Sequence, residues 1–411
     1  MSDNSTFVVV GGGLAGASTA IALRELDYPG SIVLLSQEDH LPYERPPLSK
    51  EHLAGKKQLA DFTVRNGDWY RDHHVDLRLG TEVTSIDRDA HTVSLPDGST
   101  VRYDKLALAT GSRSSRPPIP GADAAGVRYL RTIDESDAIL KILEPGSGLV
   151  IVGAGWIGLE VAAAARERGV EVTIVESAEC PLLGALGPEM GRVFADLHRE
   201  HGVTLHLGAT VDEITVDDGH ASGVRLAGGT TIAAETVLVA VGATPNVKLA
   251  RNAGLDVDGG VLVNAALSTS DPDIVAVGDI AAQAHPHLGE RVRVEHWANA
   301  LKQPRTAAAT MLGRTAEYSD LPYFFTDQFD LGMEYTGYVP SAGYDRVVVR
   351  GDTDSREFVA FWIDSENRVL AGMNVNIWDV TDQIKALVSS ASPVDPAQLG
   401  DPSMGLSDLL P

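Results

Sequence analysis

The chain has 411 residues, with 33 Lys and Arg against 57 Asp and Glu, giving a formal net charge of −24 at pH 7. Its 44% hydrophobic and 22% charged residues are ordinary for a folded globular chain and exclude disorder and collagen, and so acidic a chain repels phosphate backbones, which argues against nucleic-acid binding. The lone cysteine, Cys180, excludes an intramolecular disulfide, a Cys-x-x-Cys redox pair and a multi-cysteine zinc or iron–sulfur site, and it fits a reducing cytoplasmic compartment.

Residues 7–10 (Phe-Val-Val-Val) read as a short buried strand. Gly11-Gly12-Gly13 follows, then helical spacing from Leu14 to Leu26 and a second strand over Ser31–Leu35. This is a βαβ unit with a parallel sheet. Phe7–Leu23 is mostly apolar, but no positive residues precede it, as a signal peptide requires. Residues 75–104 hold short strand-like runs with a turn at Pro96-Asp97-Gly98. Lys105–Gly111 is an apolar strand ending in glycine. Pro117-Pro118-Ile119-Pro120-Gly121 reads as a crossover between domains.

A second βαβ unit starts at residues 149–152 (Leu-Val-Ile-Val). Gly153 opens its turn, Leu159–Arg168 its helix and Glu171–Val175 its second strand. Leu149–Ala165 is apolar but carries Glu160 and three glycines, so it is not read as a membrane span, which needs about 20 apolar residues. Residues 203–240 repeat the β-rich character of 75–104, and Thr236–Gly242 is the closing strand. A third such strand, Ile274–Gly278, ends in Asp279. Beyond about residue 321, Arg346–Arg350, Glu357–Ile363 and Val369–Asn376 alternate like antiparallel strands. Asp379–Val388 reads as a helix with Asp379 as its N-cap, and the tail Ser392–Pro411 as loosely held.

Gly11-x-Gly13-x-x-Gly16, with Ala15 at the helix start, sits between strand and helix. The first glycine permits the tight turn, the second lets a pyrophosphate approach the backbone, and the third lets helix and strand pack closely. The helix amides and dipole then face the phosphates. Gly153-x-Gly155-x-x-Gly158, with Ile157, repeats the pattern in the same context. Two dinucleotides in one chain suggest electron transfer between them, since a flavin accepts hydride from a nicotinamide. The second strand of each unit should end near an acid that binds a ribose. In the second unit this is Glu176, and no Lys or Arg lies between it and Gly191, which favours NADH over NADPH. In the first unit either Gln37 or Glu38 reaches the ribose. Glu160 interrupts an otherwise apolar helix start, and a buried acid needs a partner.

These residues carry a family resemblance. The chain resembles the NADH-dependent ferredoxin reductases of bacterial oxygenase systems, relatives of putidaredoxin and rubredoxin reductases with the glutathione-reductase-like flavoprotein fold. The matching segments are Leu41-Pro-Tyr-Glu-Arg-Pro-Pro-Leu-Ser-Lys50, Ala109-Thr-Gly111, Tyr129-Leu-Arg-Thr132, Gly153–Glu160, Val241-Gly-Ala-Thr-Pro-Asn246, Ala276-Val-Gly-Asp279 and Glu295-His-Trp-Ala-Asn299. They run in family order up to about residue 335. The resemblance implies that Asp279, after Gly278 and at the N-terminus of a following helix, binds a ribityl hydroxyl of FAD. It puts Lys50 near the flavin reactive edge, paired with Glu160 from the nicotinamide domain. It makes Arg131 an FAD-binding arginine and Val83 an adenine-side backbone contact, and it lays Trp297 along the isoalloxazine. Arg45, Thr110 and Gly111 line the same site, and Gly242 joins the nicotinamide side.

The implied fold is α/β: two Rossmann-like dinucleotide-binding domains and a C-terminal α+β domain. FAD takes residues 1–114 with 247–320, NADH takes 115–246, and 321–411 covers the flavin face. Peroxidases and oxidases of this fold keep a redox cysteine in the first FAD segment, and disulfide reductases a pair. Leu41–Lys50 holds none, so thiol chemistry is excluded. No metal site is expected: His73-His74 and His285-x-His287 bring no further ligands. The electrons must therefore leave to something external, and the resemblance implies a one-electron carrier, a [2Fe–2S] ferredoxin or a rubredoxin serving an oxygenase. Lys302, Arg305 and Arg314 are candidates for a local basic patch. Two alternatives stay open: an NADH oxidase or diaphorase using oxygen or quinone, and a redox-sensing interaction protein like apoptosis-inducing factor.

Overall fold

The computed structural model describes residues 5–340 and 343–410. The chain divides into two compact units, one built from the segment up to residue 44 with 59–113 and 244–324, the other from 45–58, 114–243 and 325 onward.

In the first unit five parallel strands lie in the order Ile274–Ala276, Lys105–Leu108, Thr6–Val10, Ser31–Leu35, Val75–Arg78. Val8 pairs with Val33 on one side and Leu106 on the other. The strands read as continuous apolar runs because both faces are covered: Phe7 to Val10 and Ile32 to Leu35 are all buried. The helix Leu14–Glu25 follows the first strand and packs along the helix Trp297–Met311. Every residue from Leu14 to Leu23 is buried, as expected of a helix that is apolar all round.

The second unit contains the matching sheet, in the order Thr204–Leu207, Glu171–Glu176, Gly148–Val152, Thr236–Val239, Val127–Arg128, again all parallel. Its helix Trp156–Glu167 leaves the glycine loop after Val152. An antiparallel sheet, in the order Tyr323–Gln328, Leu331–Gly337, Val369–Val375, Glu357–Ile363, Arg346–Asp352, forms the C-terminal part. The expected fold class, two Rossmann-like sheets and a C-terminal α+β part, is the one observed.

Residues 45–58 fold with this second unit, whereas the residues that flank them in sequence belong to the first. The short helical turn Pro46–Ser49 packs against the helices Ile133–Leu140 and Trp156–Glu167. Ser136 Oγ donates to the Leu48 carbonyl at 2.7 Å, and the buried His52 ring sits 2.8 Å from Asp137 Oδ1 and 2.9 Å from the Lys57 carbonyl.

Three local expectations are corrected. Asp379 does not cap a helix. It adopts a left-handed backbone with φ of 63°, and the helix runs Thr381–Ser390 with Val380 at the N-cap position. An N-cap aspartate needs extended backbone to reach back to the second or third amide, and left-handed geometry turns it away. Asp279 does not start an α-helix. It lies in the three-residue helical turn Gly278–Ile280, which passes directly into the strand Ala281–Ala284. The tail beyond Ser392 is tied down: Leu399 and Leu406 are buried, and Arg350 donates to the carbonyls of Asp401, Pro402 and Met404. Among the described residues, no helix is long and apolar enough to cross a membrane.

Candidate active site

The first glycine loop has the shape a dinucleotide needs. Gly11 has φ of +118°, and a Cβ there would lie 2.2 Å from the Ala109 carbonyl oxygen. A Cβ on Gly16 would lie 1.8 Å from the Gly11 carbonyl oxygen, so helix and loop touch backbone to backbone. At Gly13, by contrast, an added Cβ would meet nothing within 4 Å. The helix behind it has Gly13 as N-cap, no side-chain cap and no acid in its first turn. Its leading amides therefore have no anionic side chain of their own to serve them, and the space before them fits a pyrophosphate. Ala15 lies under this loop with Gly278, where a Cβ would be 3.0 Å from that of Ala15. This places Asp279, the next residue, near the same helix start. Val83 packs against the core of this unit.

The ribose alternatives separate in the structure. Gln37 is exposed, whereas Glu38 is half-buried and its carboxylate accepts from the Tyr43 hydroxyl. Thr110 Oγ1 donates to the Asn246 carbonyl at 3.0 Å, Asn246 Nδ2 returns to the Thr110 carbonyl at 2.9 Å, and the Asn246 amide donates to the Gly111 carbonyl at 2.9 Å. The two matched motifs thus lock each other. Trp297 opens its helix and donates from Nε1 to Glu44 Oε2 at 2.9 Å. Beside it His296 keeps a buried Nδ1 with no hydrogen-bond partner among the described residues, and burial pushes this imidazole down to about 4. Both residues lie in the matched segment Glu295-His-Trp-Ala-Asn299, but the resemblance gives a role to Trp297 alone; His296 is a neutral ring with a spare polar atom.

The second loop repeats the first. Gly153 has φ of +104°, a Cβ on Gly158 would lie 2.3 Å from the Gly153 carbonyl oxygen, and one on Gly155 would meet nothing. The helix Trp156–Glu167 again has no side-chain cap and no acid in its first turn. Glu176 ends its strand with Oε2 accepting from the Ala154 amide at 2.7 Å and Oε1 from the Ala178 amide at 2.8 Å, which sets the carboxylate against the glycine loop. Ile157 and Val241 are large apolar residues left 41% and 41% exposed, and Val241 reaches the Gly153 Cα side. Gly242 follows with φ of +103°. Exposed apolar surface beside uncapped amides fits a molecule with a flat apolar ring and a phosphate arm.

Lys50 and Glu160 meet within the second unit. Lys50 Nζ lies 3.4 Å from Glu160 Oε1, with the Glu160 side chain buried and that of Lys50 9% exposed, and Lys50 also sits 5.1 Å from the Phe325 ring centre. Glu160 Oε2 accepts from the Ser49 hydroxyl, and Oε1 accepts from Thr326 Oγ1 at 2.7 Å. Ser49 lies in the matched block that ends at Lys50, whereas Thr326 lies in no motif. Arg45 donates to the Arg131 carbonyl, and the Arg131 amide donates to Glu135 Oε2 at 2.7 Å at the capping box of the helix Ile133–Leu140.

The proposed basic patch is mixed in charge. Lys302 pairs with Asp320 at 3.1 Å, Arg305 with Glu25 at 3.3 Å, and Arg314 donates to the Leu26 carbonyl at 2.8 Å. Lys302 and Arg305 line a cleft of about 540 Å³ that also holds Arg65, Glu44 and Glu317.

One titration is visible from outside. Burial pushes the fully enclosed His198 down to about 4, against the pull of Gln328 on its ring. A folded value below the unfolded one means that neutral His198 stabilises the protein above the unfolded value of about 6.5. That stability is lost as pH falls toward 4. The expected slope is about 1.4 kcal/mol per pH unit in this window. Urea midpoints at pH 7 and pH 5 should show it together with a like contribution from His296, and His198→Gln should lower the slope by about 1.4 kcal/mol per pH unit without abolishing it.

The Pyridine nucleotide-disulphide oxidoreductase family model matches residues 5–304, and the Reductase C-terminal model matches residues 323–410. The chain is 38% identical to rhodocoxin reductase of Rhodococcus erythropolis, over 98% of this chain and 93% of that protein. It is 38% identical to putidaredoxin reductase CamA of Pseudomonas putida, over 100% of this chain and 98% of that one. Among solved structures it is similar to the reductase in the covalent putidaredoxin reductase–putidaredoxin complex, with TM-score 0.95 at 37% identity over 99% and 98% of the two chains.

Proposed function

Because the chain belongs to the Pyridine nucleotide-disulphide oxidoreductase family and ends in a Reductase C-terminal domain, we infer that it is an FAD-dependent NADH:ferredoxin reductase that feeds an oxygenase. The observation that carries this reading is the part-buried Lys50–Glu160 pair, in a chain with two open glycine loops and a single thiol. Two dinucleotide cradles without a redox cysteine pair leave an external carrier as the electron sink. Relatives over nearly the full length serve such carriers by name: rhodocoxin and putidaredoxin reductases.

The amides beyond Gly13 would hold the FAD pyrophosphate, with Ala15, Gly16, Gly278 and Asp279 around it and Gln37 or Glu38 at the ribose. Val83, Arg45, Thr110, Gly111, Arg131 and Trp297 complete the assignment. Gly153, Gly155, Ile157, Gly158 and Gly242 would shape the NADH cradle. Glu176 accepts from the ribose hydroxyls and repels a 2′-phosphate. Lys50 holds a positive charge where electron density arrives, and Glu160 fixes that ammonium. The chemistry that FAD supplies when bound is the conversion of one two-electron delivery into two one-electron deliveries. We assign FAD to residues 1–114 and 247–320, NADH to 115–246 and the C-terminal domain to 321–411. The single cysteine supports a cytoplasmic setting.

Anaerobic stopped-flow tests the function. NADH should bleach the flavin rapidly, and an oxidised [2Fe–2S] ferredoxin should restore it rapidly. Reoxidation by oxygen or quinone alone would make the protein an oxidase or diaphorase. The coenzyme preference has its own test: Glu176→Arg should lower the NADH-to-NADPH ratio of kcat/KM by about 10-fold, through lost ribose bonds and lost repulsion. An unchanged ratio would remove Glu176 from the choice.

A further inference from the structure

Glu160 receives three donors, and one has no local sequence signal. Ser49 and Lys50 are neighbours in one matched block. Thr326 stands 166 positions from Glu160, on the strand Tyr323–Gln328. Behind Thr326 the polar contacts continue. Gln328 Nε2 donates to Thr326 Oγ1 at 3.2 Å, and His198 Nε2 lies 2.9 Å from Gln328 Oε1. Thr326 and Gln328 share one face of the strand because they are two residues apart. Thr326, Gln328 and His198 are 1%, 1% and 0% exposed.

The direction of every proton in this line is fixed by chemistry. An amide oxygen only accepts, so His198 Nε2 carries the hydrogen it shares with Gln328. An amide nitrogen only donates, so it occupies a lone pair of the Thr326 oxygen. A carboxylate only accepts, so the single Thr326 proton goes to Glu160. The line is thus a one-way series of donors that ends on the carboxylate facing Lys50. A purely structural role explains it poorly. Burying three polar side chains costs more than burying apolar ones unless each is fully satisfied, and His198 Nδ1 has no hydrogen-bond partner among the described residues.

We propose that Thr326, backed by Gln328 and His198, is a positioning residue that holds the Glu160 carboxylate in register with Lys50 for reduction of the flavin by NADH. This rests on the assignment of the Lys50–Glu160 pair to that step. A Glu160 carboxylate without its Thr326 donor keeps Ser49 and Lys50 but can rotate about its last torsion, so the ammonium loses its fixed partner.

The test uses the full-length, FAD-loaded protein. Thr326→Val should slow anaerobic flavin reduction by NADH about 10-fold, the usual worth of a hydrogen bond to a charged group. Thr326→Ser should restore it to within about twofold, because the hydroxyl returns. Gln328→Leu, which keeps the Thr326 hydroxyl, should slow it by a smaller factor and serves if the valine variant does not fold. In a Glu160→Gln background, Thr326→Val should add nothing. A second readout does not depend on turnover. The Glu160 carboxylate stretch, identified in infrared difference spectra by its loss in Glu160→Gln, should shift in Thr326→Val and return in Thr326→Ser. If Glu160→Gln itself leaves reduction fast, the assignment of the pair fails and the proposal with it. If Glu160→Gln is slow while Thr326→Val is fast and its carboxylate band unmoved, the positioning role alone is overturned. The same holds if serine fails to rescue.

Discussion

Glu160→Gln is expected to slow flavin reduction by NADH about 100-fold while weakening NADH binding less than about 10-fold. The Glu160 side chain is buried and that of Lys50 is 9% exposed, and the two lie 3.4 Å apart, so each is held by the other in a site with little water to replace it. Removing the charge of Glu160 takes from the ammonium its hydrogen-bonded partner and leaves only the more general attraction of Asp327 and Glu51. The ammonium is then free to move from its place, and the fixed positive charge that favours arriving electron density goes with it. Glutamine keeps the volume and one acceptor, so the helix Trp156–Glu167 should still form and the glycine loop should keep its amides. Hence the effect should fall on the first-order rate of bleaching at saturating NADH, not on the apparent affinity. Lys50→Met should reproduce the slow reduction, and the double variant should be no slower than the slower single one. A full rate in both variants would reduce the pair to a tie between the turn Pro46–Ser49 and the helix.

Much of this architecture is legible in the sequence because its signals are local. Phe7–Val10 and Leu149–Val152 are unbroken apolar runs, and each is followed by glycines at the spacing a nucleotide loop requires. Both strands form within one residue of the expected bounds. The acid at position 160 stands out in an apolar helix start, and its burial is what the pattern implies. Its partners are another matter. Ser49 and Thr326 are 111 and 166 positions away, and nothing in a lone hydroxyl announces a tertiary contact. The same limit explains the tail. Its Pro, Gly and Ser content speaks of weak local propensity, whereas Leu399, Leu406 and the Arg350 contacts that anchor it are long-range. Asp379 fails as a cap for a subtler reason. Its residue type suits an N-cap and also tolerates left-handed backbone, and composition cannot choose between them.

The glycine loops permit a prediction that separates fold from ligand. Gly11→Ala should destabilise the protein whether or not FAD is present, since it combines φ of +118° with a Cβ 2.2 Å from the Ala109 carbonyl oxygen. Gly13 is different. Its backbone, at φ of −79° and ψ of −173°, is open to any residue, and a Cβ there meets nothing of the protein within 4 Å. Gly13→Val should therefore fold with a near-normal urea midpoint yet bind FAD at least about 100-fold more weakly, because the branched side chain fills the space before the helix amides. Purified protein should be colourless, and added FAD should not restore the flavin spectrum. Gly155→Val occupies the equivalent place in the second loop, at φ of −78° with nothing within 4 Å. It should retain its flavin and its yellow colour, and its KM for NADH should rise about 100-fold. Loss of FAD from Gly155→Val, or unchanged NADH affinity, would mean that the two loops are not divided between flavin and nicotinamide as assigned. A Gly13→Val protein that keeps FAD would remove the first loop from the flavin site altogether. The two valines ask the same physical question of two cradles that differ in sequence only around the same three glycines, so opposite phenotypes would assign each ligand by exclusion of its own space.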